Sequence, residues 1–183
     1  MADHSGPAPT VLRAATRRTV PWKNGGGVTA EIASFPPGSG MDDFGWRIST
    51  ALVEAAGPFS IFGGIERILT VLEGRLALRF AADHRLVVLD CGQCHHFPGD
   101  VAVEGFPVSG PVRDLNVMVR RGEWQAEVST ELPRLDGTET LIALATQPAG
   151  DLAALDAVQL DGTHRLPSDF VGYFICLRTA IER

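Results

Sequence analysis

Four stretches of the chain carry residue types suited to holding an anion. The first is Pro21-Trp22-Lys23-Asn24-Gly25-Gly26-Gly27, followed by an alternating stretch that contains Glu31-Ile32. Three successive glycines leave backbone N–H groups unshielded by Cβ atoms, so such a loop approaches a ligand closely or forms an anion-binding concavity. Lys23 is the only lysine beside 15 arginines, and Asn24 is one of only two asparagines. The spacing is neither the G-x-G-x-x-G of dinucleotide binding nor a P-loop, in which Lys follows the glycines. A tight turn with a packed Trp is the plainer reading of the same residues.

The second stretch is Trp46-Arg47-Ile48-Ser49. On a strand, Trp46, Ile48 and Thr50 face one way and Arg47, Ser49 and Ala51 the other. Arg47 therefore meets a pocket, or water as a rim charge. In the third, Arg67 enters the apolar run Ile68-Leu69-Thr70-Val71-Leu72, where an unpaired guanidinium is expensive. It points out of the sheet, pairs with an acid such as Asp114, or receives an anionic ligand. The planar five-donor fork of Arg grips a carboxylate at two points. In the fourth, Asp114, Asn116 and Met118 share one face of a strand whose other face is Leu115, Val117 and Val119. Asp and Asn are poor strand formers, so this face meets something polar, a ligand or solvent.

Cys91-Gly92-Gln93-Cys94-His95-His96 matches the pattern of c-type haem attachment, and its thiols and imidazoles are also zinc ligand types. Haem attachment needs export, and residues 1–20 contain no apolar core of a secretory signal. A structural zinc needs a second ligand pair, which Cys176 alone does not supply. These residues are read as reduced thiols and imidazoles of an ordinary turn. No G-x-S-x-G elbow and no H-E-x-x-H occurs.

Alternating segments with strand character must position these groups: 28–35, 46–54, 67–74, 75–80, 85–90, 112–120, 123–129, 140–146 and 171–177. Gly, Pro and Asp turn signals separate them. Residues 151–160 read as a short helix or a strand entry. Residues 1–10 form an arm, and the composition changes after Arg121-Gly122. This gives an arm at 1–10, a lobe at 11–121 carrying the ligand pocket, and a second lobe at 122–183. Short, regularly spaced strands favour an all-β sandwich or barrel with Greek-key or jelly-roll connections.

The chain has 183 residues and a net charge of −6, with 32 Gly and Pro. At this length a core forms without disulfides or metal. Without a basic cluster, a nucleic-acid partner is not expected. No apolar run approaches the roughly 20 residues that span a bilayer, so no membrane partner is expected and a cytoplasmic location is.

Taken together and in order, Pro21 to Gly27 with Glu31-Ile32, Trp46-Arg47-Ile48-Ser49, Gly57-Pro58-Phe59-Ser60, Arg67, Gly99-Asp100 and Asp114-Leu115-Asn116-Val117-Met118 resemble the HutD/Ves family over about residues 11–180. Gly63-Gly64 stands where that family more often has Pro-Gly, and the Cys91 to His96 segment is atypical. The resemblance implies an all-β cupin fold, an RmlC-like jelly roll arranged as a compact bicupin with two barrel-like lobes. It also implies a bacterial, cytoplasmic protein associated with histidine utilisation, with small-molecule binding and regulation rather than an established catalytic activity. Pairing into a homodimer follows from the same likeness.

Against the first cupin motif, counting back from Gly74 puts Arg67 where a metal-binding Glu would stand, and Ser60 and Phe62 lie in the region of its two His. The second motif's G-x5-P matches Gly92 to Pro98, but its later His falls near Val103. No metal and no other cofactor is expected, and the charge at that position is inverted. The leading expectation is a metal-free cupin that binds a small anionic metabolite, a carboxylate such as formiminoglutamate. Its ligand-binding residues would be Trp22, Lys23, Asn24, Gly25, Gly26, Arg47, Ser49, Arg67, Asp114 and Asn116. A metal-independent isomerase, hydrolase or lyase using Lys23 or Glu31 as proton carrier is the alternative, and an interaction module built on the Asn116 strand face is a third.

Overall fold

The computed structural model describes residues 10–22, 26–160 and 165–180. They hold fifteen strands, labelled β1 to β15 in chain order, one 3-10 turn at Ala14–Thr16, and no α-helix. Two units are formed, one of residues 18–124 and one of residues 10–17 with 125–180.

The larger unit has two antiparallel sheets. One is ordered β2 (Thr19–Pro21), β3 (Gly27–Phe35), β4 (Trp46–Val53), β11 (Val112–Arg120), β6 (Ile65–Glu73), β9 (Cys94–Pro98). The other is ordered β5 (Gly57–Pro58), β10 (Val103–Pro107), β7 (Arg75–Phe80), β8 (Leu86–Asp90). From β4 to β11 the chain passes back and forth between them, which is jelly-roll connectivity. Val53, Leu69, Val71 and Val112 of the first sheet meet Leu76, Leu78, Phe80, Leu89 and Val103 of the second in one buried cluster. Burying each such side chain contributes about 1.5–3 kcal/mol, and this layer holds the sheets face to face.

Local chemistry sets the strand ends. Gly74 closes the β6–β7 turn at φ +83°, and a Cβ there would lie 2.9 Å from the Pro111 carbonyl oxygen. In β3 the register slips between Glu31 and Ala33, so Glu31 pairs with Ser49 and Ser34 with Arg47. This bulge brings Glu31 and Ser34, three residues apart, onto one face, where the Ser34 hydroxyl donates to Glu31 at 3.2 Å.

The described residues of the smaller unit form one five-stranded sheet: β1 (Thr10–Leu12), β14 (Ala157–Leu160), β13 (Thr140–Ala145), β15 (Gly172–Thr179), β12 (Trp124–Ser129). Its core is Leu141, Ala143, Phe174 and Cys176. Residues 11–17, expected in the first lobe, belong here. The Arg13 guanidinium donates to Asp156 at 2.8 Å, the Ala14 N–H donates to Asp156 at 2.7 Å, and β1 runs antiparallel to β14. Residues 151–160 form no helix; a bridge between Ala149 and Leu152 leads into β14. Among the described residues no helix is long and apolar enough to cross a membrane.

Gly27 lies against β4: a Cβ would stand 2.3 Å from the Leu52 carbonyl oxygen and 3.3 Å from the Trp22 ring. Because backbone cannot swing aside as a side chain does, Gly27→Ala is expected to destabilise the protein by about 1–3 kcal/mol. An unchanged thermal midpoint would show that the β3–β4 approach is looser than described.

Candidate functional site

The cross-strand register of the six-stranded sheet sorts its inward face into rows. One row runs Ser34, Arg47, Met118, Arg67, Phe97; the next runs Glu31, Ser49, Asn116, Leu69, His95; the third runs Thr29, Ala51, Asp114, Val71. The fold thus gathers Arg47, Ser49, Arg67, Asp114 and Asn116 on one face. Arg47 and Arg67 flank Met118 from either side, so their Cα atoms are about 10 Å apart at ordinary strand spacing.

Arg67 is buried, only 5% exposed, and its surroundings are aromatic. The guanidinium carbon lies 5.2 Å from the ring centre of Phe97, 5.3 Å from that of Phe59 and 5.8 Å from that of Phe62. Ring faces attract a cation and partly offset its lost hydration. Nη1 donates to the Ser60 carbonyl at 3.3 Å, whereas Nε is buried with no hydrogen-bond partner among the described residues. Burial pushes the Arg67 pKa down to about 10 against the pull of Asp114, which leaves it ionised at neutral pH.

The loop that brings these rings in is pinned from outside. The Phe59 N–H donates to Val103 O at 2.9 Å, the Phe62 N–H to Gly99 O at 2.8 Å, and the Gly99 N–H to Ile65 O at 2.7 Å. A Cβ on Gly99 would meet Phe62 O at 2.8 Å. Asp100 beside it accepts from Arg121 at 2.8 Å, and Arg121 also pairs with Glu66 at 2.5 Å. Gly99-Asp100 therefore supports the site without entering it.

Asp114 is buried two rows, four residues along β11, from the Arg67 row, and no ion pair within 4.0 Å joins the two among the described residues. Burial raises its pKa to about 7; the charge of Arg67, the Ala51 N–H and the charge of Arg113 oppose that rise. Asp114 Oδ1 and Asn116 Oδ1 are both buried without a hydrogen-bond partner among the described residues. One unmet donor and two unmet acceptors thus face inward on adjoining rows. Buried polar groups are nearly always satisfied, so this is a feature that asks for a ligand.

Arg47 is already matched. Its Nη2 pairs with Glu31 at 3.0 Å, and Nη1 lies 2.7 Å from the Met41 sulfur. It is neither a solvated rim charge nor a free one. Trp22 donates from Nε1 to Thr29 Oγ1 at 2.8 Å and meets Phe59 edge-on at 6.1 Å, walling the same face. Gly26 is buried, its carbonyl accepting from the N–H groups of Glu54 and Ala55 at 2.9 and 3.2 Å. Lys23, Asn24 and Gly25 lie outside the described residues. Sequence reasoning missed Phe59, Phe62 and Phe97 as the box around Arg67. The available signal was the spacing Phe59-x-x-Phe62 after Gly57-Pro58.

The segment Cys91 to His96 differs from its reading as a turn. Only Cys91 to Gln93 turns, and Cys94 opens β9, because β6 offers it a strand to pair with. Cys91 and Cys94 are exposed free thiols. His95 stacks on Phe97, and burial together with Arg85 and His96 lowers its pKa. No group of three or more His, Cys, Asp or Glu able to hold a metal ion occurs among the described residues. The buried guanidinium of Arg67 gives the inward face a positive charge that repels a cation.

The larger unit is therefore an all-β jelly roll with a buried arginine on its inward face. The chain belongs to the HutD family, whose pattern it matches over residues 14–166. It is 32% identical to the uncharacterised 21.2 kDa protein in the hutC 3′ region of Pseudomonas putida, over 94% of this chain and 97% of that one. It is 35% identical to protein Ves of Citrobacter koseri, over 79% of this chain and 80% of that one. The solved structure of HutD from Pseudomonas fluorescens SBW25, from a formate condition, superposes with a TM-score of 0.80. That match has 29% identity and covers 94% of this chain and 99% of that one.

The Asp114 pKa has a stability consequence. A carboxyl raised from its ordinary value near 4 to about 7 destabilises the folded state only when ionised. The penalty is absent below pH 4 and grows by about 1.4 kcal/mol per pH unit up to pH 7. Asp114→Asn is expected to gain stability over wild type as pH rises through that window and to hold the gain above it. Denaturant melts at pH 4, 5.5, 7 and 8 that show a constant difference would contradict the assignment.

Proposed function

We propose that this protein is a metal-free binding protein for a small carboxylate metabolite, held on the inward face of the jelly roll, and that it acts in the regulation of histidine utilisation. The observation that carries the reading is Arg67, a buried guanidinium boxed by three rings with an unpaired Nε. Arg stays protonated where Lys or His would shed its proton, so its burial is tolerable when an anion arrives. A carboxylate would accept from Arg67, and N–H groups elsewhere on the ligand would meet Asp114 Oδ1 and Asn116 Oδ1. Trp22 would close the side of the site.

Formiminoglutamate, an intermediate of histidine breakdown, has this combination of carboxylates and N–H donors. Membership in the HutD family, and a relative described by its place beside hutC, support the metabolic setting. A cytoplasmic location goes with that setting and is part of the proposal.

One charge-assisted contact is worth about 1.5–3 kcal/mol, a ten- to hundred-fold change in affinity. In calorimetric titrations with formiminoglutamate, Arg67→Gln is expected to bind ten- to hundred-fold more weakly than wild type. Arg67→Lys, which keeps the charge but loses the fork, should fall between them. Thermal melts of both variants report whether the fold is retained. Equal affinity of folded Arg67→Gln and wild type would overturn the reading.

A further inference from the structure

The smaller unit has a cavity of about 480 Å3 in which the inward face of the jelly roll takes no part. Leu141 and Phe174, from β13 and β15, form its floor as part of the buried core of the unit. Leu132 and Leu135, from the segment before β13, and Phe170, from the segment before β15, line it as well. Leu132 is 63% exposed and Leu135 41% exposed, so large apolar side chains stand in solvent at a concavity.

Eight of the nine lining residues are apolar, and the ninth is Arg165. Among the described arginines of this unit, Arg13 pairs with Asp151 and Asp156 and Arg178 with Glu127 and Glu139, while Arg17 donates to the Leu12 carbonyl instead of a carboxylate. Among the described residues Arg165 has no carboxylate partner, and none of those lining the cavity is acidic. Arg165 is the one charged side chain among the described residues that line the hollow.

The geometry points to a second ligand site here, for an amphipathic anion whose aliphatic body fills the leucine and phenylalanine walls and whose single carboxylate reaches Arg165. The volume falls within the roughly 300–1,000 Å3 of small-molecule pockets. Walls without hydrogen-bonding side chains select a hydrocarbon body, because a polar one would lose its hydration without replacement. The lone positive charge selects the sign of the head group. Arg165 is exposed, so the head group sits at the mouth, where solvent screens it, and the body supplies most of the affinity.

The full chain titrated with octanoate tests this. The expected result is saturable binding at one site that weakens about fivefold in Arg165→Gln and more in Leu132→Glu, both substitutions at exposed positions. Binding should be unchanged in Arg67→Gln, and octylammonium should not compete. Absence of saturable binding, loss in Arg67→Gln but not in Arg165→Gln, or equal binding of octylammonium would each overturn the site. So would light scattering that shows a dimer dissociated by Leu132→Glu and indifferent to octanoate, since a second copy would then cover the hollow.

Discussion

A guanidinium that stays protonated at neutral pH, buried between the two sheets of a jelly roll, is the constraint on which the larger unit depends. Arg67 is removed from water yet ionised, and among the described residues it has one hydrogen bond, to a backbone carbonyl, and three aromatic rings around it. Rings soften the loss of hydration without neutralising the charge. The pinning of Phe59 and Phe62 to Val103 and Gly99 keeps those rings in place, and the Arg121 ion pairs brace that corner from the solvent side.

The two inward arginines show how the same residue type takes two roles. Arg47 is matched by Glu31, which the β3 bulge places across the sheet from Ser49. Arg67 shares its face with Asp114, but burial drives that carboxyl toward its neutral form, so it does not act as a full counter-ion. The result is an inward face with a residual positive character next to unmet acceptors. A guest bearing a carboxylate and N–H donors complements both, whereas a bare cation meets repulsion. Strands paired on both sides hold these groups more firmly than loops would.

Much of the sheet was legible in the sequence because period-two alternation survives at the long strands, β3, β4, β7 and β11. The faces followed from it: Asp114, Asn116 and Met118 do share one side with Arg47 and Ser49 by register. Strands of two to five residues, such as β5, β9 and β10, were hidden by Gly, Pro and polar residues, since only tertiary pairing makes them strands. The placement of residues 11–17 was hidden for a related reason. Asp156 recruits Arg13 and Ala14 across more than 140 positions of chain, which local pattern cannot reveal. Arg67 stood out because its charge interrupts an apolar run. The aromatic box did not, because phenylalanines near turns read as ordinary core, and the Glu31 partner of Arg47 depends on a bulge with no sequence mark.

The most direct measurement is a crystal structure of the full chain grown with formiminoglutamate. The account predicts a ligand carboxylate oxygen within hydrogen-bond distance of the Arg67 guanidinium, between Phe59 and Phe97. A structure in which Arg67 closes onto Asp114 with the ligand elsewhere, or in which a metal ion occupies the inward face, would contradict it.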